Sequence, residues 1–135
     1  NAVAVDTVML CRFSFPKMAL LATKMPELQA QLFRLLSQDI NKAALLAGDY
    51  SAEQRIAAFL ISLSRRFAAR GFSSTQLLLA MTRTDMANYL RLAPETVSRV
   101  LRRMQDAGLI GVERRELTLR NYDALVQLAH PILRI

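Results

Sequence analysis

Apolar and polar side chains alternate near the start of the chain. Met9, Cys11, Phe13 and Phe15 fall on one side and Leu10, Arg12 and Ser14 on the other, the period of two expected of a strand. On that pattern Cys11 is a buried core thiol. Pro16 ends the alternation and opens a short helix through Leu20 and Leu21 to about Thr23. From Pro26 to Ala47 the period becomes helical, with proline in the first turn, where a helix tolerates it best, and Gly48 as the stop. Two apolar lines run along this helix: Leu28, Leu32 and Leu35 form one, and Phe33, Leu36, Ile40, Ala43 and Ala47 form the other. One line can pack on the helix's own domain. The other needs a partner, either the seam of a two-helix dimer or a second buried face within one protein.

The second half is denser in signals. Ser51 with Gln54 three residues on predicts a capping box, and Ile56, Phe59, Leu60, Leu63 and Phe67 make the buried stripe of the helix that follows, ended by Gly71. Gln76 to Met81 is a short apolar run that reads as a strand, and Thr82 with Asp85 caps another helix. Residues Arg83 to Arg102 fit a helix-turn-helix: a short helix holding Met86, Ala87 and Leu90, a turn at Arg91-Leu92-Ala93, and a second helix from Pro94. Val97, Val100, Leu101 and Met104 face inward from the second helix, and Ala87 is small where two helices must cross closely. Glu95, Ser98, Arg99, Arg102 and Arg103 face out. Leu109 to Val112, a polar turn at Glu113 to Glu116, and Leu117 to Leu119 read as a two-stranded wing, and Asn121 caps a closing helix from Tyr122 to about Ala129. The expected fold is mainly α with a small β component, a long helix followed by a winged helix-turn-helix. The expected divisions are 1–25, a long helix at 26–48, and a winged domain at 49–135.

Composition narrows the function. The chain opens without Met on residues that read as mid-domain strand, so it is expected to be part of a longer polypeptide. No apolar run approaches the roughly eighteen residues of a membrane span and no signal-peptide pattern is present, which predicts a cytoplasmic protein without membrane contact. One cysteine, Cys11, and one histidine, His130, supply neither a disulfide framework nor a catalytic set, so an enzyme is not expected. The net charge is +7, and residues 51–135 carry thirteen arginines against seven carboxylates, whereas residues 1–50 are nearly balanced. A field concentrated on one domain is the footprint of a nucleic-acid surface, here double-stranded DNA.

Glu95 and Arg99 lie one turn apart and could form a plain exposed ion pair. Alternatively, Arg99 donates to guanine O6 and N7 while Glu95 accepts from a cytosine amino group. Thr82 and Arg83 at a helix start, Thr96 and Arg102 on the second helix, and Arg114 and Arg115 at the wing tip are the expected phosphate contacts. A winged helix used for protein contact is the rival reading; its face would carry aromatic or aliphatic side chains in place of Glu-x-x-Ser-Arg.

Nearly the whole chain resembles the Crp/Fnr family of bacterial transcription regulators, and within it the oxygen-responsive FNR branch. The resemblance is carried by Lys24-Met25-Pro26, Leu63-Ser64-Arg65-Arg66-Phe67, Arg70-Gly71-Phe72-Ser73, Met81-Thr82-Arg83, Asn88-Tyr89-Leu90, Glu95-Thr96-Val97-Ser98-Arg99 and Asp123-Ala124-Leu125. It implies a homodimer through the long helix at Phe33, Leu36, Ile40, Ala43 and Ala47, and residues 1–25 as the remnant of a β-roll sensor domain. It also implies base reading by Glu95, Ser98 and Arg99 on palindromic TTGAT-type sites, and RNA polymerase as a partner. Cys11 then becomes the fourth ligand of a 4Fe-4S cluster in the full-length protein, a cofactor this fragment alone cannot hold. A family member that senses through haem, or without a ligand, is the alternative. Two residues depart from the family pattern: Arg91 stands where glycine is common, and Ala93 where a Ser or Thr cap is usual.

Overall fold

Six helices and three short strands follow one another in a computed structural model that describes residues 3, 4, 6–47 and 49–133, and the side chains of all of these but 38–47. The chain divides into two compact units, Asn1–Gly48 and Asp49–Ile135.

In the first unit α1 spans Phe15–Lys24 and α2 spans Pro26–Ala47. Ser14 caps α1, its hydroxyl accepting from the Lys17 amide at 3.4 Å. Pro16 then sits within the first turn, where its missing N–H is no loss. The expected strand over Met9 to Phe15 does not form: residues 9–14 pair with no strand, and Phe15 is already helical. Its supposed inner face is exposed, Met9 at 95% and Phe13 at 70%, and Cys11 is exposed as well rather than a core thiol. Alternation buries one face only when a sheet lies alongside, and among the described residues none does. On α2, Leu28 and Leu32 are half-buried, while Phe33, Leu35 and Leu36 are exposed. The side chains of Ile40, Ala43 and Ala47, and Gly48 altogether, lie outside the described residues.

The second unit is built on α3, Ala52–Ala68, capped reciprocally by Ser51 and Gln54 as the sequence predicts. Its buried line is Ile56, Ala57, Leu60, Ile61 and Ser64, whereas Phe59, Leu63 and Phe67 are half-buried. The line packs on α6, Tyr122–Leu133, through Leu125, Ala129 and Ile132, and on α5, Pro94–Asp106. Eight larger core side chains, among them Ile56, Leu60, Met86, Ile110 and Leu125, are almost wholly withdrawn from water, each stabilising by about 1.5 to 3 kcal/mol. The closing helix runs past its expected end and carries Pro131 in its last turn, where it offers no N–H to the Gln127 carbonyl.

A three-stranded antiparallel sheet in the order β1-β3-β2 joins Gln76–Leu78, Glu116–Leu119 and Ile110–Glu113. The wing turn is tighter than expected, because Glu113 pairs with Glu116 and leaves only Arg114 and Arg115 between the strands. Arg114 takes φ 54° to make that turn.

Three helices end in one manner. After α3, α5 and the first helix of the helix-turn-helix, α4 (Arg83–Leu90), a left-handed residue lets the next amide bond back five positions: Phe72 to Phe67 at 3.0 Å, Leu109 to Met104 at 2.9 Å and Leu92 to Ala87 at 2.9 Å. Gly71 and Gly108 take that conformation in two of them, and Arg91, at φ 53°, takes it in the third. A side chain there costs about 1 to 2 kcal/mol. Two residues later Ala93 sits at the N-cap of α5 without a side-chain bond. Arg91→Gly and Ala93→Ser are each expected to raise stability by about 1 kcal/mol. Urea denaturation of the two variants beside the parent checks this, and an unchanged midpoint for Arg91→Gly would mean that the turn is not strained.

Candidate nucleic-acid interface

The geometry of α5 follows from its two-sided sequence. Val97, Val100, Leu101 and Met104 are buried, so the positions between them must project outward, and Glu95, Ser98, Arg99 and Arg102 are exposed. Thr96 is half-buried. Ala87 is fully buried on α4, which packs on α5, as a small residue at a close helix crossing should be. Glu95 and Arg99 form no ion pair with each other; among the described residues both lack an intramolecular partner, and their polar groups face solvent. Arg103 departs from the expected reading face. Its guanidinium turns back to the Glu53 carboxylate on α3, with Nη2 2.9 Å from Oε1. The reason is angular: residue 103 lies about 80° around the helix from 95, whereas 98, 99 and 102 lie within about 60° of it.

Two adjoining hollows lie near this face and share Arg83 and Val112. The first is lined by Arg83, Ser98, Leu101, Arg102, Gln105, Asp106 and Val112. The second lies between the loop before α4 and the wing, with Thr82, Arg83, Arg114 and Arg115 in its wall. The fold therefore brings together five of the six expected phosphate contacts, drawn from α4, α5 and the wing; Thr96 lines neither hollow. Gln105 escaped the sequence reading, although its spacing from Ser98 and Arg102, seven and three residues, marked it as lying on their helix face. Arg120 did too. Its guanidinium lies over Gly111, where an added Cβ would meet Nε at 3.0 Å, so a side chain there would push that cation aside by a few tenths of an ångström.

The start of α4 is electrostatically uneven. Burial pulls the Arg83 guanidinium below its ordinary value, and no carboxylate pairs with it among the described residues. A partly desolvated cation at a helix N-terminus favours an anion. Thr82 is less free. Its amide and hydroxyl both donate to Asp85 Oδ2, at 2.9 and 2.7 Å, and its Oγ1 accepts from the Asp85 amide at 3.1 Å.

A projecting helix over a helix-turn-helix, with a cationic hairpin beside it, defines the winged helix class. Residues 54–128 match the Crp-like helix-turn-helix domain family. The chain belongs to that family. It is 46% identical over 131 residues to the fumarate and nitrate reduction regulatory protein of Escherichia coli K12, an alignment covering 95% of this chain and 52% of that protein. It is 45% identical over the same length to the corresponding protein of Klebsiella oxytoca. It thus spans about half the length of these relatives. Among solved structures it is similar to FixK2 of Bradyrhizobium japonicum, with a TM-score of 0.70 and 29% identity over 84% of this chain and 57% of that one. A CRP-family regulator of Thermus thermophilus shares the fold, with a TM-score of 0.61 at 21% identity over 76% of this chain and 51% of its own.

The Asp85 carboxyl is held below its usual range by the Thr82 hydroxyl and amide. A folded value below the unfolded one means that the cap's contribution is complete above the ordinary aspartate value, about 3.9, and disappears as pH falls through the lowered one. Denaturation of wild type and Asp85→Ala is expected to show a constant gap in stability from neutral pH to about pH 5 that closes as pH falls well below the ordinary aspartate value of about 3.9. A gap that stays constant through that fall would remove the carboxylate from the cap.

Proposed function

We propose that this chain is the DNA-reading part of a dimeric transcription regulator of the FNR type. The observation that carries this is the exposed face of α5, where Glu95, Ser98 and Arg99 project without intramolecular partners among the described residues, with two adjoining arginine-lined hollows nearby, Ser98 in the wall of one of them. Arg99 donates two parallel hydrogen bonds to guanine O6 and N7. Glu95 accepts from a cytosine amino group, and the Ser98 hydroxyl can donate or accept beside them. Arg83, Arg102, Arg114 and Arg115 neutralise phosphates beside them, with Thr96 at the start of α5 as a further contact. Thr82 supports them as the cap that orients the α4 N-terminus. The site they read is a TTGAT-type half-site repeated as a palindrome. The protein-contact reading is weaker, because the face is polar and charged.

The dimer runs through α2, by way of Phe33 and Leu36, both exposed, and of Ile40, Ala43 and Ala47. Exposed apolar side chains in a line favour a partner helix. The same reading makes RNA polymerase a partner and the cytoplasm the location; no helix among the described residues is long and apolar enough to cross a membrane.

For the cofactor, the residues of this chain do not suffice. A 4Fe-4S cluster takes four thiolates, the chain has one cysteine, and no group of metal ligands forms among the described residues. Cys11 is exposed, as suits one ligand of a cluster completed by cysteines outside this sequence. The 46% identity to the fumarate and nitrate reduction regulatory protein supports the FNR branch, and with it the cluster that the resemblance implies.

Gel-shift titration of the intact protein is expected to show binding to the palindrome well above that to a single half-site, weakening steeply as salt rises. Equal affinity for the two duplexes would exclude a dimeric reader. Arg99→Ala should cost about 1 to 3 kcal/mol and relax preference at one guanine, while Arg114→Ala should weaken all sequences alike. In protein purified without oxygen, Cys11→Ser is expected to remove iron and the visible absorption of the cluster; a serine variant with full iron content would mean that Cys11 is not a cluster ligand.

A further inference from the structure

Two polar ties lead from the start of α3 to the helix-turn-helix, and neither belongs to the reading face. Arg55, half-buried, donates from Nη1 to the Leu90 carbonyl at 3.3 Å across thirty-five residues of sequence. That carbonyl is one of the last four of α4, which have no helical donor of their own, and the next residue is the left-handed Arg91. The cation also complements the negative end of the helix dipole. Glu53 holds Arg103, near the other end of α5, at 2.9 Å, with the two side chains 40% and 61% exposed. An ion pair so exposed adds little to stability. Residues 53 and 55 point about 200° apart around α3, so this helix grips the turn before α5 from one flank and the last turns of α5 from the other. Between the grips the buried side chains of the two helices are largely apolar, and apolar surfaces resist separation better than they resist sliding or rotation.

We propose that Glu53, Arg55 and Arg103 are positioning residues that set the angle at which α5 is presented, so that Arg99 and Glu95 meet base edges in register. This rests on the DNA-reading function proposed above. Arg103 accordingly serves recognition without touching phosphate.

The test uses the intact protein, a palindromic and a scrambled duplex, and several salt concentrations. Glu53→Arg and Arg103→Glu are each expected to reduce the ratio of palindrome to scrambled affinity about tenfold, and the double exchange to restore it to within about threefold. Arg55→Met should lower the ratio similarly, and Arg55→Lys, which keeps a cationic donor, should lower it less. Native-state hydrogen exchange gives a readout independent of DNA. In Arg55→Met the Leu92 amide, which closes the turn onto Ala87, should exchange about tenfold faster while the amides of Ile56 to Ile61 keep their rates. Unchanged ratios in the single variants, or a double exchange that fails to restore them, would overturn the proposal. So would an Arg103→Glu variant that weakens both duplexes equally and lowers their salt slopes, since Arg103 would then be a phosphate contact. A wild type that binds both duplexes alike would defeat the DNA-reading function itself, and the exchange rate of Leu92 would still decide whether Arg55 holds the turn.

Discussion

The exposed face of α5 exists because its other face is anchored. Val97, Val100, Leu101 and Met104 are buried and α5 packs on α3 and α4, and turning the helix over to hide its polar positions would expose all four. Burial of four such side chains is worth several kcal/mol, far more than any interaction Glu95 or Arg99 could gain by folding back on the protein surface. The apolar core thus maintains a polar display, and the display in turn needs Ala87 at the helix crossing, where a longer side chain would force α4 and α5 apart.

Around that display the molecule tolerates local imperfection. Arg91 adopts a conformation better suited to glycine, and Ala93 leaves the start of α5 without a side-chain cap. Pro94, pre-set to the helical φ, and the Arg55 bond to Leu90 offset part of the cost. Both defects fall in the turn that carries the recognition helix, a common place for strain in a binding domain. The wing has a similar feature: Arg114 at positive φ places two arginines at a tip with no space for a longer loop.

Charge on this surface is arranged in pairs of opposite use. Arg83 loses hydration without gaining a carboxylate, which leaves it ready for an anion. Asp85, two residues on, is occupied in capping Thr82 and lines neither hollow. Asp106 does stand in the wall of the hollow with Arg102 and Gln105, and a phosphate seated there would meet repulsion from its carboxylate. The field of the winged unit as a whole remains positive, in keeping with its excess of arginine.

Periodicity, capping residues and turn chemistry are local, and the sequence alone was therefore enough to locate α2 to α5, the wing, both capping boxes and the outward face of α5. The positions of Ser51 and Gln54, of Thr82 and Asp85, and of Pro94 carry their meaning within four residues of chain. What needed the tertiary structure was whatever depends on a distant neighbour. The alternation of Met9 to Phe15 looked like a strand, yet a strand exists only beside another, and none of the described residues supplies one. Arg103 looked like part of the reading face until Glu53, fifty residues earlier, was found to hold it. Nor could local pattern show that Arg83, Arg102 and the wing arginines line adjoining hollows, because they come from three elements whose meeting is set by core packing and not by any one segment's preference.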